Sequence, residues 1–345
     1  MDKKIKFALV GMGALAFRHI NGVFQNSDVA EIACICDIDK KALDLRGDEF
    51  KIPENKRYTD YNKMLSDGGF HCVIIITPDQ IHREQAVAAL AAGYHVLCEK
   101  PLAQSMDDCQ AMVDAADASG KIFMTGQVCR KAPGFVLAKK LIEDGEIGEL
   151  FFVESEYAHD YSRIPGVGNW RIDPVHLRHP IIGGGCHAID LLRWLAGNPS
   201  EVYAYSNRKM LKDWPVDDCT VAIMKFPNEV VGKVFTSVGC KRTYTMRTVL
   251  YGSTGTIITD NTSEKITLMQ EVVDENGKAS IKTTELPVDV NNHNVTAEIK
   301  ELTEAILGRA PLITDGKEGA STVAVGCAIV ESAATGKPVC PSYDF

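Results

Sequence analysis

Chemistry enters this sequence first at a glycine-rich turn. Gly11-Met12-Gly13-Ala14-Leu15-Ala16 follows the apolar run Lys6 to Val10 and opens a helical pattern. This is the G-x-G-x-x-A form of a dinucleotide-binding fingerprint. Gly11 permits the tight turn, Gly13 lets the backbone approach a pyrophosphate, and Ala16 keeps helix and strand close. Ala14 and Leu15 belong to the same turn, where backbone amides at a helix start hold phosphate without net positive charge. An acid, Asp37, closes the next apolar run, Glu31 to Cys36, near the spacing expected for a ribose contact. A carboxylate there favours NAD, because it repels the 2′-phosphate of NADP; no Arg follows it directly, and Asp39 adds negative charge. Two blander readings stay open: a structural glycine turn that binds no dinucleotide, and a solvated acid starting a turn.

A second concentration of chemistry lies between Tyr157 and His187: His159, Asp160, Tyr161, Arg163, Trp170, Arg171, Asp173, His176, Arg178 and His179. Trp170 offers a face for a sugar, and Arg171 offers donors to hydroxyls or a carboxylate. The competing reading is an exposed loop with incidental charges. His176 and His179, with His187, raise the question of zinc, which imidazoles suit. Spacing within a loop is poor support for it, and no metal is expected.

These residues need elements to position them. Short apolar runs at Lys6 to Val10, Glu31 to Cys36, Cys72 to Ile76, His95 to Cys98 and Ile122 to Thr125 alternate with helical patterns such as Ile81 to Ala92 and Asp107 to Ala118. That alternation predicts a parallel, doubly wound sheet with crossover helices, a Rossmann domain over 1–126. After Gln127 the pattern changes. A helix over Pro133 to Glu143 precedes strands at Leu150 to Tyr157, Glu201 to Ser206, Cys219 to Phe226, Val230 to Val238, Arg247 to Tyr251 and Thr256 to Thr259. Short turns such as Pro227-Asn228 suit antiparallel hairpins. Helices are expected at His187 to Ala196, Val295 to Leu307 and Glu318 to Thr335. Residues 127–345 thus read as an α+β domain with a large, mostly antiparallel open sheet, which binds substrate and self-associates.

Bulk composition narrows the classes. The 345 residues are 45% hydrophobic and 24% charged, with a formal net charge of -9. No dense Lys/Arg stretch stands out, which argues against nucleic acid. The charged start lacks the pattern of a secretory signal, and no apolar stretch approaches the ~18 residues of a membrane helix, so no membrane association is expected. Eleven scattered cysteines without a CxxC pair fit a reducing cytoplasm.

Taken with three later motifs, the fingerprint resembles the glucose–fructose oxidoreductase, inositol dehydrogenase and rhizopine-catabolism (Gfo/Idh/MocA) family. The motifs are Thr77-Pro78 with His82, then Glu99-Lys100-Pro101 at a strand end, then Gly183-Gly184-Gly185-Cys186-His187-Ala188-Ile189-Asp190 running on to Leu195. Gly145 to Glu149 and Glu331 to Pro338 extend the similarity over nearly the whole chain. The resemblance implies a sugar or polyol substrate, NAD as cofactor, and a homodimer or homotetramer formed through the C-terminal sheet. It implies that Thr77, Pro78, His82, Glu99, Lys100 and Pro101 lie at the cofactor, with Lys100 and Pro101 against the nicotinamide. It also implies that Lys100 contacts the substrate hydroxyl and that His187 is the acid/base. That demand is physical: oxidising a carbinol needs a proton acceptor at oxygen and a hydride acceptor at carbon, and histidine titrates near neutrality. Trp170, Arg171, Asp173 and Cys186 join the expected substrate site. One departure stands out. Many relatives carry an Asp four residues before the catalytic His, and here that position is Gly183; Asp173 is a candidate replacement. Besides net dehydrogenation, two alternatives remain: a redox-cycling glycosidase or lyase on the same fold, and a non-catalytic dinucleotide-binding regulator.

Overall fold

Apolar runs with no polar face build the first sheet of the computed structural model, which describes residues 4–291 and 293–345. Strands β1 (Ile5–Val10), β2 (Ala30–Cys36), β3 (Arg57–Tyr58), β4 (Cys72–Ile75), β5 (His95–Cys98) and β6 (Phe123–Thr125) pair in parallel in the order β3-β2-β1-β4-β5-β6. Every residue of β4 is buried, as expected where helices cover both faces. The crossovers carry α1 (Ala16–Gln25), α2 (Lys40–Glu49), α3 (Tyr61–Asp67), α4 (His82–Ala91) and α5 (Met106–Ser119). Their starts are written locally: Asp39, Asp60 and Ser105 each accept a backbone N–H of the first turn of α2, α3 and α5. Gly120 ends α5 in the left-handed conformation. The strand order turns about β1, so the loop after β1 opens at the switch point where nucleotides bind in such sheets.

The second sheet follows the other period. After α6 (Pro133–Glu143) come β7 (Leu150–Ala158), α7 (Pro180–Gly183), α8 (Cys186–Ala196), β8 (Glu201–Asn207), β9 (Cys219–Lys225), β10 (Val231–Ser237), β11 (Thr245–Gly252), β12 (Gly255–Asp260), β13 (Lys265–Val273) and β14 (Ala279–Pro287). The strands align as β14-β13-β12-β11-β7-β10-β9-β8, antiparallel except for β7 beside β10. In β9 exposed and buried residues alternate, so one face is open. The sheet is therefore the expected open, mostly antiparallel one, with additions. The expected strands do not include β3, β13 or β14. Strand β3 is only two residues long, and β14 is exposed along most of its length, so neither carries a hydrophobic alternation to read.

The chain divides into two compact units. The first runs up to Gln127 and takes in Val295–Val323 and Asp344–Phe345; the second is Val128–Asn294 with Ala324–Tyr343. The helices α9 (Val295–Ile306) and α10 (Gly316–Thr335) follow the second sheet in sequence. Yet α9 packs against α1, and the buried Asn26 amide donates to the carbonyls of Gly22 (2.8 Å) and Thr296 (3.0 Å). A Cβ on Gly22 would lie 3.2 Å from side chains of Val295 and Ile299, so glycine sets that close approach. The first unit thus includes a helix that a boundary of 127–345 gives to the second.

Candidate active site

In the first unit, the turn after β1 is shaped for an anion. Gly11 has φ +96°, and a Cβ there would fall 2.8 Å from the backbone of Ile76, so both conformation and space demand glycine. A Cβ on Gly13 would meet nothing within 4 Å. Gly13, Ala14 and Leu15 are exposed and α1 begins with no side-chain cap; the Ala16 N–H donates to the Gly13 carbonyl at 3.2 Å and the Arg18 N–H to that of Leu15 at 3.0 Å, which closes the turn into the helix. Ala16 is fully buried beneath the turn. Asp37 reaches into the same loop. Its Oδ2 accepts the Met12 N–H at 2.6 Å, and its Oδ1 accepts the Asp39 N–H at 2.7 Å. Asp37 therefore fixes the glycine loop as well as standing where a ribose contact is expected. Open space at Gly13, an exposed turn at a helix start and an acid at the end of β2 fit NAD.

The other expected cofactor residues form the ends of β4 and β5. His82 is buried. Its Nε2 lies 3.0 Å from the Thr77 carbonyl and its Nδ1 lies 3.1 Å from the Pro101 carbonyl, so one ring ties the Thr77-Pro78 loop to the Lys100-Pro101 loop. The Thr77 hydroxyl bonds Gln85 at 2.6 Å. The Lys100–Pro101 peptide is cis. Glu99 is buried, pairs with His19 Nε2 at 2.8 Å and accepts the Lys100 N–H at 3.1 Å. Burial alone would raise its carboxyl, but the His19 hydrogen bond and the Lys100 charge outweigh burial and bring it down to about 2.

In the second unit, His187 sits in the first turn of α8 and is 4% exposed. Its ring stacks on Tyr157 at 6.2 Å and meets His293 edge-on at 5.7 Å. Its Nδ1 lies 3.2 Å from Cys129 Sγ. The neighbouring Arg130 grips Asp190 two-pronged, Nε to Oδ2 at 2.9 Å and Nη2 to Oδ1 at 2.6 Å, both side chains buried. Asp190 thus holds the segment bearing Cys129 against the helix bearing His187.

The glycine triplet before His187 is required by packing. A Cβ on Gly184 would lie 2.6 Å from the Tyr157 ring, and one on Gly185 would lie 2.4 Å from Thr236 Oγ1. At Gly183 the space of a side chain is filled by Arg178, whose Nη1 is 2.2 Å from the built Cβ. Arg178 is buried and donates to the Gly183 carbonyl at 3.0 Å. Where many relatives carry a carboxylate, this protein places a guanidinium.

The remaining expected substrate residues fall into two groups. Trp170 carries Arg171 over its ring at 4.4 Å and Arg178 at 5.0 Å. Arg171 also lies 6.0 Å from the Tyr161 ring, and the Tyr161 and Tyr157 hydroxyls bond at 2.7 Å, so these residues connect to His187. Asp173 spends its oxygens elsewhere, on the Val175 N–H and on His176 Nδ1, both at 2.9 Å. Cys186 is buried with Sγ on the carbonyls of Gly183 and Gly184. Burial lowers the His159 and His179 imidazoles below their ordinary range. Among the described residues, no group of three or more His, Cys, Asp or Glu side chains is arranged to hold a metal ion. Sequence reasoning missed Cys129, Arg130, Tyr244 and His293, which no local pattern links to His187.

Comparison with known proteins identifies the family. Residues 5–127 match the family described as "Oxidoreductase family, NAD-binding Rossmann fold", and residues 135–258 match the "GFO/IDH/MocA C-terminal domain". The chain belongs to the Gfo/Idh/MocA family. It is 29% identical to the 1,5-anhydro-D-fructose reductase of Ensifer adhaerens over 82% of this chain and 83% of that one. It is 28% identical to the inositol 2-dehydrogenase of Salmonella paratyphi B over 73% and 72%. The crystal structure of the WlbA dehydrogenase from Bordetella pertussis in complex with NADH and UDP-GlcNAcA superposes with TM-score 0.84 at 25% identity, covering 99% of this chain and all of that one. This Gfo/Idh/MocA protein is an oxidoreductase, and NAD is its cofactor.

Two outcomes follow for the first unit. Asp37→Ala removes the acceptor of two loop amides together with the proposed ribose contact. NAD affinity in a fluorescence titration should fall by about tenfold or more, with the preference over NADP narrowing. Tighter NADP binding by the wild type would contradict this. Glu99→Gln tests the depressed carboxyl. Its pKa is lowered on folding, so its stabilising contribution is complete above the ordinary value of 4.5 and is lost as pH falls toward about 2. In urea unfolding across that window, the gap between wild type and Glu99→Gln should close; a pH-independent gap would count against the assignment.

Proposed function

We propose that the enzyme transfers a hydride between a hydroxyl-bearing carbon of a sugar or polyol and NAD, in the cytoplasm. The observation that carries this reading is the fixed, buried imidazole of His187 on a chain whose first unit is built for NAD. The relatives named above act, by name, on anhydrofructose and inositol, which supports a polyhydroxylated substrate and favours net hydride transfer over redox cycling. Most of the free cysteines are buried, which suits a reducing compartment. Among the described residues, no helix is long and apolar enough to cross a membrane.

Each unit has its part in this reading. Residues of the first hold the cofactor: Gly11, whose own N–H is bonded to the Cys36 carbonyl, allows the turn; Gly13, Ala14 and Leu15 receive the pyrophosphate at its exposed edge; and Asp37 takes the ribose. The Thr77-Pro78 and Glu99-Lys100-Pro101 loops, joined through His82, carry the nicotinamide end. Bound NAD supplies the hydride acceptor. Lys100 contacts the substrate hydroxyl and stabilises the alkoxide charge that develops on it. His187 receives the hydroxyl proton as the carbon gives up its hydride. The Trp170 face with Arg171 and Arg178 upon it offers apolar contact and cationic donors to a hydroxyl-rich or carboxylated ligand. Asp173 orders that segment through His176.

Self-association belongs to the second sheet. Its open face carries Tyr205, Val221, Ile223 and Val231, all exposed, beside the Lys233–Glu154 ion pair at 2.6 Å. Apolar area of this kind with a polar rim suits a second copy of the chain, giving a homodimer or homotetramer. Light scattering at micromolar concentration should report an oligomer that Ile223→Lys weakens. A monomeric mass for the wild type would contradict this.

The chemistry is tested by a sugar and polyol panel monitored through NADH absorbance, with Lys100→Ala and His187→Ala alongside. Each variant should bind NAD nearly as the wild type does, while kcat and kcat/KM fall together by ~10²–10⁴-fold. Near-wild-type turnover by His187→Ala would assign the acid/base elsewhere. NAD binding without turnover of any panel member would favour the regulator.

A further inference from the structure

Lys100 can stabilise a developing alkoxide only if it is held where the charge appears, and an ammonium on a flexible four-carbon stem does not hold itself there. Its backbone is fixed by the residue before it. Glu99 Oε2 accepts the Lys100 N–H at 3.1 Å, so the carboxylate folds back over the peptide that carries the lysine. Glu99 is in turn confined. Its own N–H donates to the Ile75 carbonyl at 3.0 Å, and a Cβ on Gly126 would stand 3.4 Å from Glu99 Cδ.

The other carboxylate oxygen decides how the group is turned. Glu99 Oε1 meets His19 Nε2 at 2.8 Å, with both side chains buried. His19 stands in the first turn of α1, the helix that opens at the Gly11–Ala16 turn. An ionised carboxylate only accepts, so the proton in this contact belongs to the imidazole and Nε2 is the donor. The ring has no second engagement among the described residues: Nδ1 is buried without a hydrogen-bond partner. Leaving a polar atom unpaired in a core is costly, and His19 bears that cost while serving Glu99.

The charge state of Glu99 depends on the same contact. Burial raises its carboxyl, and the His19 hydrogen bond followed by the Lys100 charge reverses the effect. Among the described residues, these two are the charged or titratable groups that bear on it. The adjoining Cys98 thiol is pushed up, by burial first and then by Glu99, and stays neutral.

We propose that His19 is a positioning residue for Lys100: by donating Nε2–H to Oε1 it turns the Glu99 carboxylate so that Oε2 holds the Lys100 amide, tying the lysine to the helix that opens at the cofactor turn. The inference rests on the reading of Lys100 as the group that meets the substrate hydroxyl, and two of its readouts need no substrate.

His19→Leu removes the donor and leaves an apolar side chain in a buried place. Its Glu99 carboxyl should titrate above the ordinary 4.5 in carbon NMR of glutamate-labelled enzyme, with Glu99 assigned by its loss in Glu99→Gln. Below that new value the Lys100 amide, followed on lysine-labelled enzyme, should exchange with solvent about tenfold faster than in the wild type. There kcat should fall by about 10- to 100-fold, with NAD affinity within about threefold, and recover as pH rises through the new value. This acid limb is additional to that of the catalytic base. His19→Asn, polar but too short to reach Oε1, should behave alike, which keeps the test standing if the leucine variant does not fold. His19→Gln, whose amide can donate to Oε1, should restore the carboxyl, the amide and kcat. Adding Glu99→Gln to His19→Leu removes the titrating group, so the additional limb should vanish. An unshifted Glu99 carboxyl in both disrupting variants would overturn the proposal. So would an unchanged Lys100 amide, or an additional limb that survives Glu99→Gln. If the carboxyl and the amide respond as expected while the wild type oxidises no sugar or polyol, the proposed function fails and the positioning of the Lys100 segment by His19 stands.

Discussion

The buried pairing of Arg130 with Asp190 is the contact on which the second unit's site depends. Removing one partner of such a pair strands the other charge away from water, which typically costs ~3–5 kcal/mol. The two-pronged geometry also fixes orientation, since a planar guanidinium and a carboxylate meet in one plane. Arg130 belongs to the turn that leads into α6, and Asp190 to the first half of α8. Locking them together sets the residue before Arg130 against the residue three before Asp190. Those are Cys129 and His187. An ion pair that adds little net stability here holds the Cys129 segment against the helix that carries the His187 ring.

The same unit shows how glycine and arginine can exchange roles with a carboxylate. Gly183, Gly184 and Gly185 allow α7 and α8 to approach Arg178, Tyr157 and Thr236 more closely than any side chain would permit. Once position 183 has no side chain, its volume is available to the guanidinium of Arg178, and the local charge changes sign.

Much of the fold was legible because its signals are local. The run KFALV followed by Gly-Met-Gly states a buried strand, a left-handed turn and an open helix start within a few residues, and the structure has each of them. The Asp37 position followed from the end of one strand. Strand β14 was not legible, because a strand exposed on nearly all sides has no alternation to display, whereas β13 buries Ile266 and Leu268 in a short alternation that the sequence reading passed over. The grouping of α9 with the first unit was hidden for another reason. It is written in Gly22 and Asn26, far upstream, through a close approach and two amide hydrogen bonds. The site divides in the same way. His187 and Lys100 sit in recognisable motifs, whereas Cys129, Tyr157 and His293, distant in sequence, become neighbours of His187 only in the folded unit.

Net hydride transfer from a carbinol carbon to NAD, with a protein base taking the hydroxyl proton, is the reaction proposed for this enzyme. The most direct measurement follows deuterium from that carbon. A turned-over sugar or polyol, deuterated at the reacting carbon, is incubated with the enzyme and NAD, and both the nicotinamide and the sugar product are analysed by mass spectrometry. Net transfer should give reduced cofactor carrying the deuterium, in step with a ketonic or lactone product. Deuterium retained in a sugar product while no reduced cofactor accumulates would contradict it.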